Sequence, residues 1–405
     1  MRFLHTSDWH LGQKFIGQSR DIEHGLALDW LLETIAAQQV DALIVAGDIF
    51  DVNNPPTSAE TLYYQFLSRL VGSPCRHIII IGGNHDAPSK LEAPKNLLQA
   101  LGIHVIGKAA GPEEELILLK DQAGKPLALV AAIPFLRDRD FQGSISGEGM
   151  DDRIQRIKEG IYKHYHEMAA CAQEILDTQK LDIPVLTTGH LYAKGAAATE
   201  EQANIYIGNL ENIAAEQFPE IFDYVALGHI HRPQIVGKKQ HIRYCGSLIP
   251  LSFSEIAYKK LVLLCDVEHG KGLVNIQEIP VPTFRKLATV RGSLAEIEAK
   301  LQKLHDPASP LPAWVEIWVE GDQEVAALDR HLRDIAKDLN LELLKIRRQH
   351  GSAALDALTE TEQLDALSLE DVFLKRCESL GLSSEATATL LQTFGELREW
   401  MDAVE

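Results

Sequence analysis

The chain has 405 residues, with 39 Lys+Arg against 58 Asp+Glu and a formal net charge of -19. That balance excludes a protein that grips nucleic acid through bulk positive charge, because phosphate contacts need Lys and Arg. Hydrophobic content of 45% and charged content of 24% exclude wholesale disorder, and the length suggests two or three domains.

Short apolar runs recur from the start, over residues 2–6, 42–46, 77–81, 127–133, 185–188 and 224–227. Each ends in small or polar residues. Helical patterns fall between several of them, at 22–38, 58–71 and 152–179. This alternation predicts an α/β layered domain, closed by a strand at 259–267. Pro280-Val281-Pro282 marks a boundary. Beyond it the pattern reads strand, helix, strand, helix, strand over 284–348. Leu294, Ile297, Leu301 and Leu304 share one helix face, and 314–319 and 341–346 read as strands. The expected division is 1–280, a small α+β unit at 281–350, and a tail at 351–405.

The tail holds 12 acidic and 3 basic residues. It is nevertheless not a solvating run, because apolar residues recur at helical spacing. Leu369, Val372 and Phe373 mark one helix, capped by Ser368 with Asp371 three residues on. Leu390, Phe394, Leu397 and Met401 mark another. The longest apolar runs fall far short of the ~20 residues a membrane span needs, and Met1 leads into Asp8 without an apolar leader. The five cysteines are scattered and form no CxxC. A reduced, cytoplasmic compartment is expected.

Five motifs follow five of the apolar runs. Asp8 and His10 lie in TSDWHLG, Asp48 and Asp51 in AGDIFD, and Asn84, His85 and Asp86 in GGNHDAP. His190 lies in TTGH, and His229 and His231 in LGHIH. The shared grammar is a strand, a small residue or glycine, then a polar group able to bind metal. In α/β sheets ligands collect outside the carboxyl ends of strands. The i, i+2 spacing of Asp8/His10 and His229/His231 puts both side chains of each pair on one face of extended backbone. Carboxylate, imidazole and amide oxygen without thiolate suit Mn, Fe or Zn. Seven candidates (Asp8, His10, Asp48, Asn84, His190, His229, His231) are too many for one ion with an open position. Two ions sharing a carboxylate is the economical solution, with Asp48 the best bridge. Such a pair clamps a phosphoryl group and activates water.

The five motifs in order resemble the calcineurin-like metallophosphoesterase superfamily. The resemblance implies a β-sandwich flanked by helices, followed here by the small α+β unit and a helical tail. It implies that Asp8, His10, Asp48 and His231 hold one metal, and that Asp48, Asn84, His190 and His229 hold the other. His85 would stabilise the transition state or protonate the leaving oxygen, with Asp51 as its orienting partner. Within the superfamily, RFLHTSDWHLGQKF, DALIVAGDIFDVNNPP, HIIIIGGNHDAPSKL, GHIHRPQ and YCGSLIPLSFSE resemble the SbcD family, the nuclease subunits of bacterial SbcCD complexes. Eukaryotic and archaeal relatives carry a histidine where this chain has Asp51.

That closer resemblance implies Mn2+-supported cleavage of DNA: 3′-to-5′ exonuclease action on duplex ends, and endonuclease action on hairpins and single strands. It implies a coiled-coil ATPase partner of the SbcC type, docked by the tail helices, and a homodimer. The helix at 58–71, with Leu62, Tyr63, Phe66, Leu67 and Leu70, is expected to contribute to the dimer contact or to the core. The unit at 284–348 resembles the family's DNA-capping domain. Lys14, Arg20, Lys90, Arg137, Arg139 and Arg232 lie near the motifs and are candidate DNA contacts. Gly102-x4-Gly107-Lys108 imitates a P-loop, but Ala109 replaces the Ser/Thr and the interior reads as a strand. Two other functions remain open: a phosphoprotein or nucleotide phosphatase on the same scaffold, and a scaffold that binds DNA without cutting. GDIFD lacks the following Arg-Gly of protein phosphatases.

Overall fold

The computed structural model describes residues 1–141, 149–194, 196, 213–320, 325–348, 387, 390, 391 and 393. The tail segments around Leu369, Val372 and Phe373, and around Phe394, Leu397 and Met401, lie outside the described residues. Leu390 is described and is exposed.

Two six-stranded sheets lie face to face. The first runs, in spatial order, Gly272–Pro280, Leu261–Glu268, Arg2–Thr6, Ala42–Ala46, His77–Ile81 and Ile103–Ile106; its last four strands are parallel. The second runs Gln234–Val236, Lys239–Tyr244, Tyr224–Gly228, Val185–His190, Pro126–Ala131 and Leu116–Lys120. Its four central strands are also parallel. Helices Asp21–Ala37 and Thr57–Leu70 cover the first sheet, and Met150–Gln179 covers the second. The result is the expected helix–sheet–sheet–helix sandwich. In Ala42–Ala46, the side chains of Ala42, Ile44 and Ala46 join the core between the sheets, while Leu43 and Val45 join the core under the helices. Both faces are covered, so the sequence shows a continuous apolar run with no alternation.

One expectation is corrected, and one left open between two readings is decided. Residues 259–267 do not close the first region, because Gly272–Pro280 follows as an antiparallel edge strand. Its exposed Asn275, Gln277 and Glu278 hid it from an apolar search. The stripe on Thr57–Leu70 is core: Tyr63, Phe66, Leu67 and Leu70 are all buried beneath their own helix, and only Leu62 of the five is part-exposed. The P-loop-like stretch is the buried strand Ile103–Ile106, and the Gly107 amide already donates to Glu92 Oε1 at 2.9 Å.

The following unit is a parallel three-stranded sheet, with Ala313–Val319 between Leu287–Gly292 and Leu341–Arg348. Helices Leu294–Leu304 and Val325–Asp338 cover one face of it. Ser293 opens the first helix, its main-chain N–H donating to Glu296 Oε2 at 2.9 Å. This unit docks on the sandwich through buried charge. Glu23 Oε1 accepts from Arg20 Nε at 3.0 Å and from Arg285 Nε at 2.7 Å. Both guanidiniums lie over Trp314, which stacks on Phe15 at 5.5 Å between centroids. Two cations against one carboxylate are tolerable because ring faces and the carbonyls of Pro250 and Pro312 share the excess charge. Arg20, named above as a candidate DNA contact, is therefore spent in this junction. No helix among the described residues is long and apolar enough to cross a membrane.

Candidate metal centre

Parallel strands from both sheets end at one edge of the sandwich, and the five motifs begin there. The backbone at that edge is strained. Asp8, His10 and Asp48 have φ of 51°, 49° and 50°, and His229 has 97°. Non-glycine residues hold this left-handed conformation only when their surroundings impose it, and such strain clusters at functional sites. Here the Asp8 N–H donates to Gly47 O and the His10 N–H to Asp48 O, both at 3.0 Å, locking the first two motif loops together. Gly83 has no room for a side chain: a Cβ there would lie 2.1 Å from Asp48 Oδ1. Gly83→Ala should therefore push the Asp48 carboxylate aside. Metal affinity, read by isothermal titration with Mn2+, is expected to fall by about 10–100-fold while the far-UV spectrum is kept.

All nine predicted residues meet at this edge. Asp8, His10 and His231 bring potential ligand atoms within 4.8 Å of one another, and so do Asp48, His190 and His229. In the second cluster His190 Nε2 lies 3.1 Å from Asp48 Oδ2 and 3.0 Å from Asn84 Oδ1. His229 Nδ1 lies 2.9 Å from Asn84 Oδ1 and 3.3 Å from His190 Nε2. His190 Nδ1 donates to Ala46 O at 2.9 Å, which directs Nε2 inward. His10 Nε2 lies 3.5 Å from Asp48 Oδ2, so Asp48 touches both clusters. Burial opposes charge on Asp48 and His190 alike, but each favours the other's ion. His190 is raised to about 9, and Asp48 is held well below the ordinary carboxylate range by His190, His10 and His85. Burial, with His190 alongside, pushes His229 well down.

His85 is exposed at the rim, its ring edge-on to His10 at 4.9 Å. Its main-chain N–H donates to Asp48 Oδ1 at 2.9 Å, and its Nδ1–H donates to the main-chain carbonyl of Asp51 at 2.7 Å. The Asp51 carboxylate goes elsewhere, to His10 Nδ1 at 3.1 Å. Asp51 thus meets His85 through its backbone, and its side chain fixes the His10 tautomer instead. Asp86 is a brace: its buried carboxylate accepts from the main-chain N–H of Gly83, Ile49 and Phe50 at 2.9–3.1 Å. Arg137 clamps the same loop, donating to Gly83 O and Asp86 O at 3.1 and 2.9 Å.

Sequence reasoning missed Glu255 and Lys260. Glu255 Oε1 accepts from His231 Nδ1 at 2.9 Å, which leaves His231 Nε2 for the centre. Its other oxygen meets Lys260 Nζ at 2.5 Å, and Lys260 also donates to the His231 carbonyl. Burial would raise the Glu255 carboxyl, but Lys260 and His231 hold it at about 2. This value lies below the ordinary 4.5, so the stability gained is complete above pH 4.5 and is lost as pH falls toward 2. Glu255→Ala leaves the Lys260 ammonium buried and unpaired, and should cost about 3–5 kcal/mol in urea unfolding near neutral pH. The available signal was position. YCGSLIPLSFSE follows the strand Lys239–Tyr244, which runs parallel to its neighbour and ends at the same edge.

The calcineurin-like phosphoesterase family model matches residues 1–233, and that of the type 5 capsule protein repressor C-terminal domain matches residues 283–379. SbcD of Escherichia coli K12, part of the SbcCD nuclease, is 39% identical over 377 residues, covering 93% of this chain and 92% of that protein. This chain belongs to the SbcD family of calcineurin-like phosphoesterases. Its SbcD relatives include those of Rhodobacter capsulatus, at 38% identity over 86% of each chain, and Bacillus subtilis, at 31% over 98% of this chain and 97% of that one. As an SbcD-type phosphoesterase the protein is a metal-dependent phosphodiester hydrolase. The centre fits divalent cations on its own chemistry. His10 Nε2 is buried without a hydrogen-bond partner, and the oxygen and imidazole donors around it are hard to borderline.

Proposed function

We propose that this chain is the nuclease subunit of an SbcCD-type complex and cuts DNA with two Mn2+ ions. The observation that carries the reading is that Asp48 touches both ligand clusters while His85 stands exposed beside them. Asp8, His10, Asp48 and His231 would hold one ion, and Asp48, Asn84, His190 and His229 the other. Bound ions of this kind withdraw charge from phosphoryl oxygens and supply an activated water. His85, held by its Nδ1–H on Asp51 O, offers Nε2 to the departing oxygen. Asp51 and Glu255 keep His10 and His231 turned inward.

The substrates on this reading are duplex ends, cut 3′ to 5′, and hairpins and single strands, cut internally. Residues 1–280 form the nuclease domain, 281–350 cap the DNA, and 351–405 dock on an SbcC-type coiled-coil ATPase. The protein works in the cytoplasm as a homodimer. Support for the dimer shifts from the buried stripe to the outer helix faces, where Ile22, Leu26 and Tyr64 are exposed. The test is the purified chain with Mn2+ on a labelled hairpin DNA, beside a phosphopeptide and a small phosphodiester. Cleavage of the hairpin and not the phosphopeptide is expected. Hydrolysis of the phosphopeptide alone would make the chain a phosphatase, and DNA binding without cutting would make it a scaffold.

A further inference from the structure

Among the described residues the capping unit presents one sheet face without helices, and its side chains form registered rows across the three strands. Leu287, Trp314 and Glu342 stand in the first row, Thr289, Glu316 and Lys345 in the second, and Arg291, Trp318 and Arg347 in the third. The first row is anchored. Leu287 and Trp314 pack on Phe15, and Phe15 meets Phe253 at 5.0 Å. Phe15 lies five residues beyond His10, and Phe253 two before Glu255. The sheet therefore rises from the same two loops that build the metal centre. Four residues of strand, about 13 Å, separate Trp314 from Trp318.

The third row is a ladder of cation, indole and cation. The Arg291 guanidinium lies 5.3 Å from the Trp318 ring centroid and that of Arg347 lies 5.0 Å from it. Both arginines are exposed, whereas Trp318 is half-buried between them. Arg347 has Glu316 beneath it at 3.4 Å, and Lys345 stands in the row below. Guanidiniums stacked on an aromatic ring keep their N–H edges outward and lose little freedom on meeting an oxyanion. In a chain of net charge -19, the open face is a local reversal of sign, its cations Arg291, Lys345 and Arg347 outnumbering Glu316 and Glu342.

We infer that Arg291, Trp318 and Arg347 form a phosphate grip for the DNA backbone that extends from the metal centre up the open face of the capping sheet. The inference rests on the reading of the chain as a DNA nuclease. The occupant is a polyanion with evenly spaced phosphates, because a single small anion would need one arginine and not a row. Trp318 acts as the spacer that holds the two guanidiniums, not as a stacking platform for bases.

The test is binding of the full chain to a labelled hairpin DNA, without added metal, at several salt concentrations. Arg291→Ala/Arg347→Ala should flatten the slope of log K against log salt by about 2, and weaken binding about tenfold near 0.15 M salt. Arg291→Lys/Arg347→Lys keeps both charges and should keep the slope. Trp318→Ala should weaken binding severalfold with the slope kept, and Trp318→Phe should restore it. Hydrolysis of a small phosphodiester with Mn2+ should match wild type in all four. An unchanged slope in the alanine pair overturns the grip, as does an equal loss of small-ester hydrolysis. Wild type that hydrolyses neither ester nor DNA would instead strike the reading of the metal centre, which the slope measurement does not depend on.

Discussion

Asp48→Ala is expected to remove at least one of two bound Mn2+ equivalents and to slow phosphodiester hydrolysis by about 10³-fold or more, roughly 4 kcal/mol of barrier. Asp48 is the carboxylate that reaches both clusters: Oδ2 lies 3.1 Å from His190 Nε2 and 3.5 Å from His10 Nε2. Its Oδ1 accepts the His85 N–H. Without it His190, His229 and His10 lose the carboxylate they share, and a cation loses both its shared ligand and one of the negative charges of the centre, Asp8 remaining. Asp48→Asn separates the two losses. It keeps an oxygen for the His85 N–H but gives up the charge, and should retain one ion weakly. Metal content per chain after desalting is the measurement. Two tightly bound ions and full Mn2+-dependent hydrolysis in Asp48→Ala would sink the bridging assignment.

The parts of the site legible in the sequence are those carried by central parallel strands. Such strands are buried on both faces, so each motif stands at the end of a buried, largely apolar run, most plainly Asp48 after the unbroken Ala42–Ala46. Edge strands leave no such mark. Leu116–Lys120 alternates buried and part-exposed residues, Gly272–Pro280 holds only part-exposed and exposed ones, and both went unread. The helix Thr57–Leu70 reads in the sequence as either core or dimer contact, and it is core. An apolar stripe at helical spacing has the same spelling whether it faces its own sheet or a partner, and only packing decides. Histidine type alone is equally mute. His5 has its Nδ1 on the Tyr224 hydroxyl at 2.9 Å in the core, away from any metal cluster among the described residues. Nor can a sequence say whether Asp51 works through its carboxylate or its carbonyl; it uses the first on His10 and the second on His85. Glu255 closes the stretch YCGSLIPLSFSE but escaped because its partner His231 lies 24 residues earlier in the chain, and no spacing rule pairs the two.

His85→Ala should leave both metals in place and slow DNA cleavage by about 10²–10⁴-fold. The main-chain N–H that donates to Asp48 survives the substitution, so the metal-side geometry keeps its support. What disappears is an imidazole whose Nδ1–H is fixed on Asp51 O and whose Nε2 is left to exchange a proton at the rim. If that proton goes to the departing oxygen, the loss depends on how badly the oxygen needs it. A deoxyribose alkoxide is a poor leaving group and requires protonation; a nitrophenolate departs unaided. The variant should therefore be crippled on DNA and far less affected on a nitrophenyl phosphodiester. Equal losses on both esters would assign His85 to stabilising charge on the phosphoryl oxygens. Loss of a bound ion would make it a ligand, in keeping with the close approach of His10, Asp51 and His85. The ratio of the two rate losses, measured with metal content in the same samples, separates the three roles.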